Sequence, residues 1–187
     1  LVHELLEKYD NYALSVSATT RSPRPGEVDG VHYFFKSKEE FEEMIHENRL
    51  IEYASYVENY YGTPKEYVQQ QLENGKDVIL EIEIQGALKI KKQFPDTLLL
   101  FMVPPSASVL EERLRGRGTE TDEVVRKRLH RAVEEAEFIE QYDYLIVNDD
   151  LETCVKETHE IIQSQHHRVD QRREFIDTLK EDLKRFL

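Results

Sequence analysis

The chain's 187 residues suffice for one domain with a sizeable core, and 34% of them are charged against 39% hydrophobic. A formal net charge of −13, from 25 Lys+Arg against 38 Asp+Glu, argues against non-specific binding to nucleic acid or to an anionic membrane surface. A single cysteine, Cys154, excludes an intrachain disulfide framework. With no apolar run of about 18 residues and no visible signal peptide, a soluble cytoplasmic protein is the expectation.

Apolar residues at helical spacing (Val2, Leu5, Leu6, Tyr9) predict a first helix ending at Asp10-Asn11. The chain opens LVHELLEKY, in what reads as the middle of a helix, so further residues are expected upstream. Tyr12 to Val16 is a short strand, followed by a polar loop and a second β-like run at Val31 to Phe35. Ser37 with Glu40 forms a capping box that predicts a helix over 38–47. Leu50 to Val57 reads as a strand, Asn59 to Pro64 as a turn, and Lys65 to Asn74 as a helix closed by Gly75. Asp77 to Ile84 is β-branched and apolar, then acidic at alternate positions; a helix follows over Gly86 to Gln93. Thr97 to Val103 and Tyr144 to Val147 read as strands buried on both faces. Between them lie a helix capped by Ser106 and a long helix from Thr121-Asp122-Glu123 to about Gln141. From Leu151 the chain reads as helical to its end, with a polar break at Ser164 to His167. Strands alternating with helices imply an α/β architecture with a parallel sheet, and the aromatic strands between 31 and 58 form a small inserted mixed lobe.

Four constellations carry chemistry. In SVSATTRSPRPGEVDGVHY, short hydroxyl donors (Ser17, Thr19, Thr20, Ser22) surround Arg21 and Arg24, planar cations that match a phosphate in a bidentate way. Pro23 and Pro25 stiffen that loop. Single arginines there could equally pair with surface carboxylates, but the cluster in an acidic chain favours a phosphate-monoester site. Glu81 and Glu83, at i and i+2, project to one face of their strand, where a doubly wound sheet places its ligands. They would hold a hydrated Mg²⁺ or accept from a base, or else simply cap helices or pair with Lys89 or Lys91. Gly116 and Gly118 bracket Arg117 in a segment suited to a lid, with Arg128 on the next helix. On that helix Lys127 and Arg131 read as a basic face balanced by Glu134, Glu135 and Glu137. Glu52 beside Tyr60-Tyr61-Gly62-Thr63 could read a base edge, a weak signal taken alone. The seven histidines show no metal-ligand spacing with cysteine.

Taken in order, SVSATTRSPRPGEVDGVHYFF, LIEYASYVENYYGTP, GKDVILEIEIQGA, FPDTLLLFMVPPS, RLRGRGTE and YDYLIVND resemble the successive blocks of guanylate kinases over about residues 12–150. The resemblance implies a P-loop kinase-type doubly wound parallel sheet with an inserted GMP-binding lobe and a helical lid. The expected division is a core of 1–17, 78–112 and 132–187, a lobe of 18–77 and a lid of 113–131. It implies phosphoryl transfer from ATP to GMP with Mg²⁺, and no nucleic-acid or membrane partner, in a monomer or homodimer. Arg21, Arg24, Tyr33 and Tyr61 would clasp the GMP phosphate, with Glu27 counted among the substrate-binding residues. Ser17, Glu52, Thr63 and Glu83 would read guanine. Glu81 would approach Mg²⁺ through water, where the family commonly carries aspartate. Arg24, Arg117 and Arg128 would neutralise charge on the transferring group, and Arg113 and Asn148 would flank the adenine of ATP. The family's glycine-rich loop, GxxGxGK[ST] in form, is not among these residues and is expected immediately before Leu1. The alternative is a non-catalytic interaction domain of guanylate-kinase type; such domains commonly lose the lid arginines and paired carboxylates that this chain keeps.

Overall fold

Residues 1–56, 58–116 and 121–187 are described by the computed structural model. Helix α1 (Val2–Lys8) leads into strand β1 (Tyr12–Leu14), which returns to the core only after a long excursion. That excursion holds β2 (Ala18–Thr19), β3 (Phe34–Phe35), helix α2 (Lys38–His46), β4 (Leu50–Tyr56), β5 (Asn59–Pro64) and α3 (Lys65–Glu73). Strand β6 (Asp77–Ile79) then pairs in parallel with β1, Tyr12 opposite Asp77 and Leu14 opposite Ile79. After α4 (Ile84–Gln93), a second parallel pair joins β7 (Leu100–Val103) to β8 (Tyr144–Val147), Leu100 opposite Tyr144. Helices α5 (Ala107–Gly116) and α6 (Asp122–Ala136) lie between those two strands in sequence. The chain continues through α7 (Leu151–Gln165) and α8 (Arg173–Leu183). Parallel pairs, β7 and β8 joined by a helical crossover and β1 and β6 by the excursion, are the α/β arrangement expected.

The excursion folds as a four-stranded mixed sheet in the order β3-β2-β5-β4, with β3 parallel to β2 and the other neighbours antiparallel. Its core is Ala18, Phe41, Met44 and Leu50, with Phe41 stacked on Tyr60 at 5.2 Å between ring centroids. Ser37 and Glu40 make the full reciprocal capping box at the start of α2. A separate core of Leu5, Tyr12 and Val155 joins α1, β1 and α7. There the Tyr12 hydroxyl lies 2.7 Å from His159 Nδ1, while the Tyr9 ring stacks on His159 at 3.6 Å. Among the described residues no helix is long and apolar enough to cross a membrane.

Several expectations need correction. Asn59 to Pro64 is a strand: its Asn, Gly and Pro suggest a turn, yet it pairs with β4 on one side and β2 on the other. Ala18-Thr19, expected in the loop, is also a strand. The Thr19 hydroxyl donates to the Tyr60 carbonyl (2.9 Å), and Thr20 Oγ1 accepts from the Tyr60 N–H (2.9 Å), so both threonines are framework groups. Strand β6 stops at Ile79, leaving Glu81 and Glu83 on an extended link, and Glu83 is the N-cap residue of α4. Nor are β7 and β8 buried on both faces: Met102 is exposed in β7, Leu145 and Val147 are exposed in β8, and among the described residues the two strands pair only with each other. The last helix is broken over 166–172, a longer interruption than expected.

Candidate functional site

An open cleft is lined by residues of β4, β5, β6, β7 and α4. Ser17, Tyr33, Glu52 and Tyr61 reach it from the sheet side, and Glu81 and Glu83 from the link between β6 and α4. Six residues expected to touch substrate therefore share one space, though they come from four separated stretches of chain.

Glu52 is the group the fold does most to place. It sits on β4, and the hydroxyl of Thr63, wholly buried on β5, donates to its Oε1 at 2.8 Å. Burial raises the carboxyl above its ordinary 4.5; the bond from Thr63 and the nearby charge of Lys89 pull the other way without cancelling it. Two glycines make room. A Cβ on Gly86, in the first turn of α4, would stand 3.1 Å from Glu52 Oε2. A Cβ on Gly62 would stand 2.9 Å from the Glu52 carbonyl and 3.1 Å from the Phe41 ring. Neither role is read from the sequence, although a glycine inside a strand, as at Gly62, is itself a sign of close approach.

Arg21, Tyr33 and Tyr61 also meet. The Arg21 guanidinium carbon lies 5.3 Å from the Tyr33 ring centroid, and the Tyr33 and Tyr61 rings meet edge to face at 6.2 Å. Glu27 grips Arg21 with two parallel hydrogen bonds, 2.8 and 3.0 Å, and takes a third from the Arg24 backbone N–H at 2.6 Å. Both side chains of the pair are well covered, Arg21 at 17% and Glu27 at 19% exposure. Hydrogen bonding from Arg21, then from the Arg24 backbone, holds the Glu27 carboxyl at about 2. Glu27 thus fixes the orientation of the Arg21 guanidinium. Arg24 itself is exposed on the loop.

The remaining expected residues lie elsewhere. Arg113 donates to the carbonyl of Asn148 at 2.7 Å and reaches that of Asp149 at 3.4 Å, so the two residues expected to flank adenine are in contact. Arg128 is exposed on α6. Arg117 lies outside the described residues. Arg131, read as part of a solvated basic face, does contact Glu135 (2.8 Å), but its Nη2 also reaches Glu83 Oε2 across the cleft. Neither Lys89 nor Lys91 takes Glu83; Lys91 pairs with Asp143 at 2.8 Å. No group of three or more His, Cys, Asp or Glu suited to hold a metal ion occurs among the described residues.

Residues 1–165 match the family model described as guanylate kinase. A guanylate kinase of Halalkalibacterium halodurans is 56% identical over 151 residues, covering 80% of this chain and 74% of the relative. One from Desulfitobacterium hafniense is 52% identical over 155 residues, covering 83% and 78%. Among solved structures, the crystal structure of guanylate kinase from Anaplasma phagocytophilum superposes with a TM-score of 0.70 at 32% identity, covering 90% of this chain and 81% of the other.

Proposed function

The chain belongs to the guanylate kinase family, and from that premise we infer how its residues support the transfer of the γ-phosphoryl group of ATP to GMP, giving ADP and GDP. The observation that carries the reading is Glu52. A partly buried carboxylate is fixed by Thr63, walled by Gly86, and faces a cleft with Ser17 and Glu83. Guanine offers N1–H and N2–H₂ to such acceptors and O6 to a hydroxyl. Adenine has no matching pair of donors and would leave the carboxylates unmet.

The mixed sheet, residues 18–77, is the lobe that takes GMP in this reading; 113–131 is the lid and the remainder the core. Arg21, held by Glu27, meets the GMP phosphate with the hydroxyls of Tyr33 and Tyr61, and Arg24 joins from the exposed loop. Arg24, Arg117 and Arg128 then stabilise charge on the phosphoryl group in transit. No general base is needed, because the attacking phosphate oxygen is already anionic and catalysis is chiefly alignment with charge stabilisation. Arg113 and Asn148 border the adenine of ATP. A Mg²⁺ ion bound together with ATP would neutralise charge on the triphosphate. A lone exposed carboxylate such as Glu81 fits an ion that keeps most of its waters. The curated relatives carry the name of the kinase, and they do not favour a non-catalytic interaction domain.

Binding of GMP, inosine monophosphate and AMP by calorimetry tests the base-reading claim. GMP binds tightest, and inosine monophosphate, which lacks the N2 donors, binds more weakly. Equal affinity for GMP and AMP overturns the roles of Glu52 and Glu83.

A further inference from the structure

We propose that Arg131 stands in for guanine on Glu83 while the site is empty, so that GMP must displace a lid-side arginine to reach its second carboxylate. The inference rests on the reading of Glu83 as a guanine acceptor.

Arg131 lies on α6, one helical turn beyond Arg128, and its guanidinium bridges two carboxylates. Nε donates to Glu135 Oε1 on the same helix at 2.8 Å, and Nη2 contacts Glu83 Oε2 at the start of α4. All three side chains line the cleft that also holds Glu52 and Ser17. The Glu135 contact, at i+4, aims the guanidinium along the helix face towards Glu83. The chemical match is close. Guanine presents N1–H and N2–H₂ to a carboxylate; Arg131, its Nε–H taken by Glu135, presents an Nη2–H donor of the same kind to Glu83 Oε2. A carboxylate placed to accept from one accepts from the other.

The contact is also weak enough to be exchanged. Glu83 keeps 69% of its side-chain surface exposed and Arg131 49%, so water screens the pair and competes for both partners. Arrival of the base breaks the tie between α6 and the cleft floor. Occupation of the guanine site and the position of α6 are thereby linked through one carboxylate.

Two opposing effects make the test sharp. Deleting a positive charge from the cleft by itself weakens binding of any nucleotide monophosphate. Freeing Glu83 strengthens binding only of a base that donates to it. With Arg131→Ala, GMP affinity measured by calorimetry rises about two- to five-fold, the range of an exposed ion pair, while AMP affinity does not rise. Arg131→Gln, which keeps a polar side chain but loses the charge and the reach to Glu83, behaves the same way. In a Glu83→Gln background the gain from Arg131→Ala disappears, while Glu83→Gln alone weakens GMP binding. If Glu83→Gln weakens GMP and Arg131→Ala leaves it unchanged or weaker, the stand-in is overturned and guanine reading by Glu83 survives. If Glu83→Gln leaves GMP binding unchanged, guanine reading by Glu83 fails and the stand-in falls with it.

Discussion

Replacing Glu52 by Gln separates recognition from folding, because the two respond with opposite signs. Glutamine keeps the volume and still accepts from the Thr63 hydroxyl, now 2.8 Å from Glu52 Oε1. What changes is the second oxygen, which lies over Gly86. An NH₂ there meets the N–H donors of guanine instead of accepting from them. Loss of a charge-assisted acceptor, with donors left facing donors, costs roughly 1–3 kcal/mol, or about 5- to 150-fold in GMP affinity. Folding responds otherwise. Burial raises the Glu52 carboxyl above 4.5, so the ionised form is penalised in the native state. A raised acid lowers stability as pH climbs from its unfolded value through its folded one, and glutamine is spared that loss. At neutral pH the variant is therefore as stable as the parent or more so, while it binds GMP less well. Calorimetric titration with GMP and a thermal melt on the same sample decide the matter. A fall in melting temperature that accompanies the loss of affinity, or an equal loss for ATP, refutes base reading by Glu52.

Four other outcomes follow from the same geometry. Gly62→Ala drives a methyl to 2.9 Å from a backbone carbonyl and 3.1 Å from Phe41, and lowers stability by about 1–3 kcal/mol in a denaturant titration. GMP affinity of the wild-type protein declines in acid from above pH 4.5, since Glu52 protonates early. The Arg21–Glu27 contribution is instead whole above the ordinary carboxyl range and lost only as pH falls towards about 2, so Glu27→Gln flattens the acid limb of a stability profile. Ser37→Ala removes the reciprocal cap of α2 and lowers stability by about 1 kcal/mol, with GMP affinity unchanged, as read by parallel melts and titrations.

Much of this was legible in the sequence where local chemistry decides structure. Ser37 and Glu40 announce a helix start because both partners of the capping box lie within one turn. Tyr144 to Val147 forms a strand with the bounds its apolar run suggests. The errors arose where pairing partners are distant. Asn59 to Pro64 carries turn residues, yet two neighbouring strands hold it extended. The two carboxylates after Ile79 continue an alternating pattern, but the ladder with β1 ends at Leu14 and so does the strand. The sequence places Arg131 on a solvated face because its helical neighbour Glu135 is visible there, whereas Glu83 lies 48 positions away. Glu27 had no individual role until its three hydrogen bonds to the arginine loop were seen.

The most direct test is a coupled assay of ADP formation by the native protein with ATP, Mg²⁺ and each of GMP, AMP, CMP and UMP in turn. Paired carboxylates facing one base edge predict turnover with GMP at least about a hundredfold above AMP in kcat/KM, with the pyrimidine nucleotides lower still. Turnover of AMP equal to that of GMP, or none with GMP, contradicts the account.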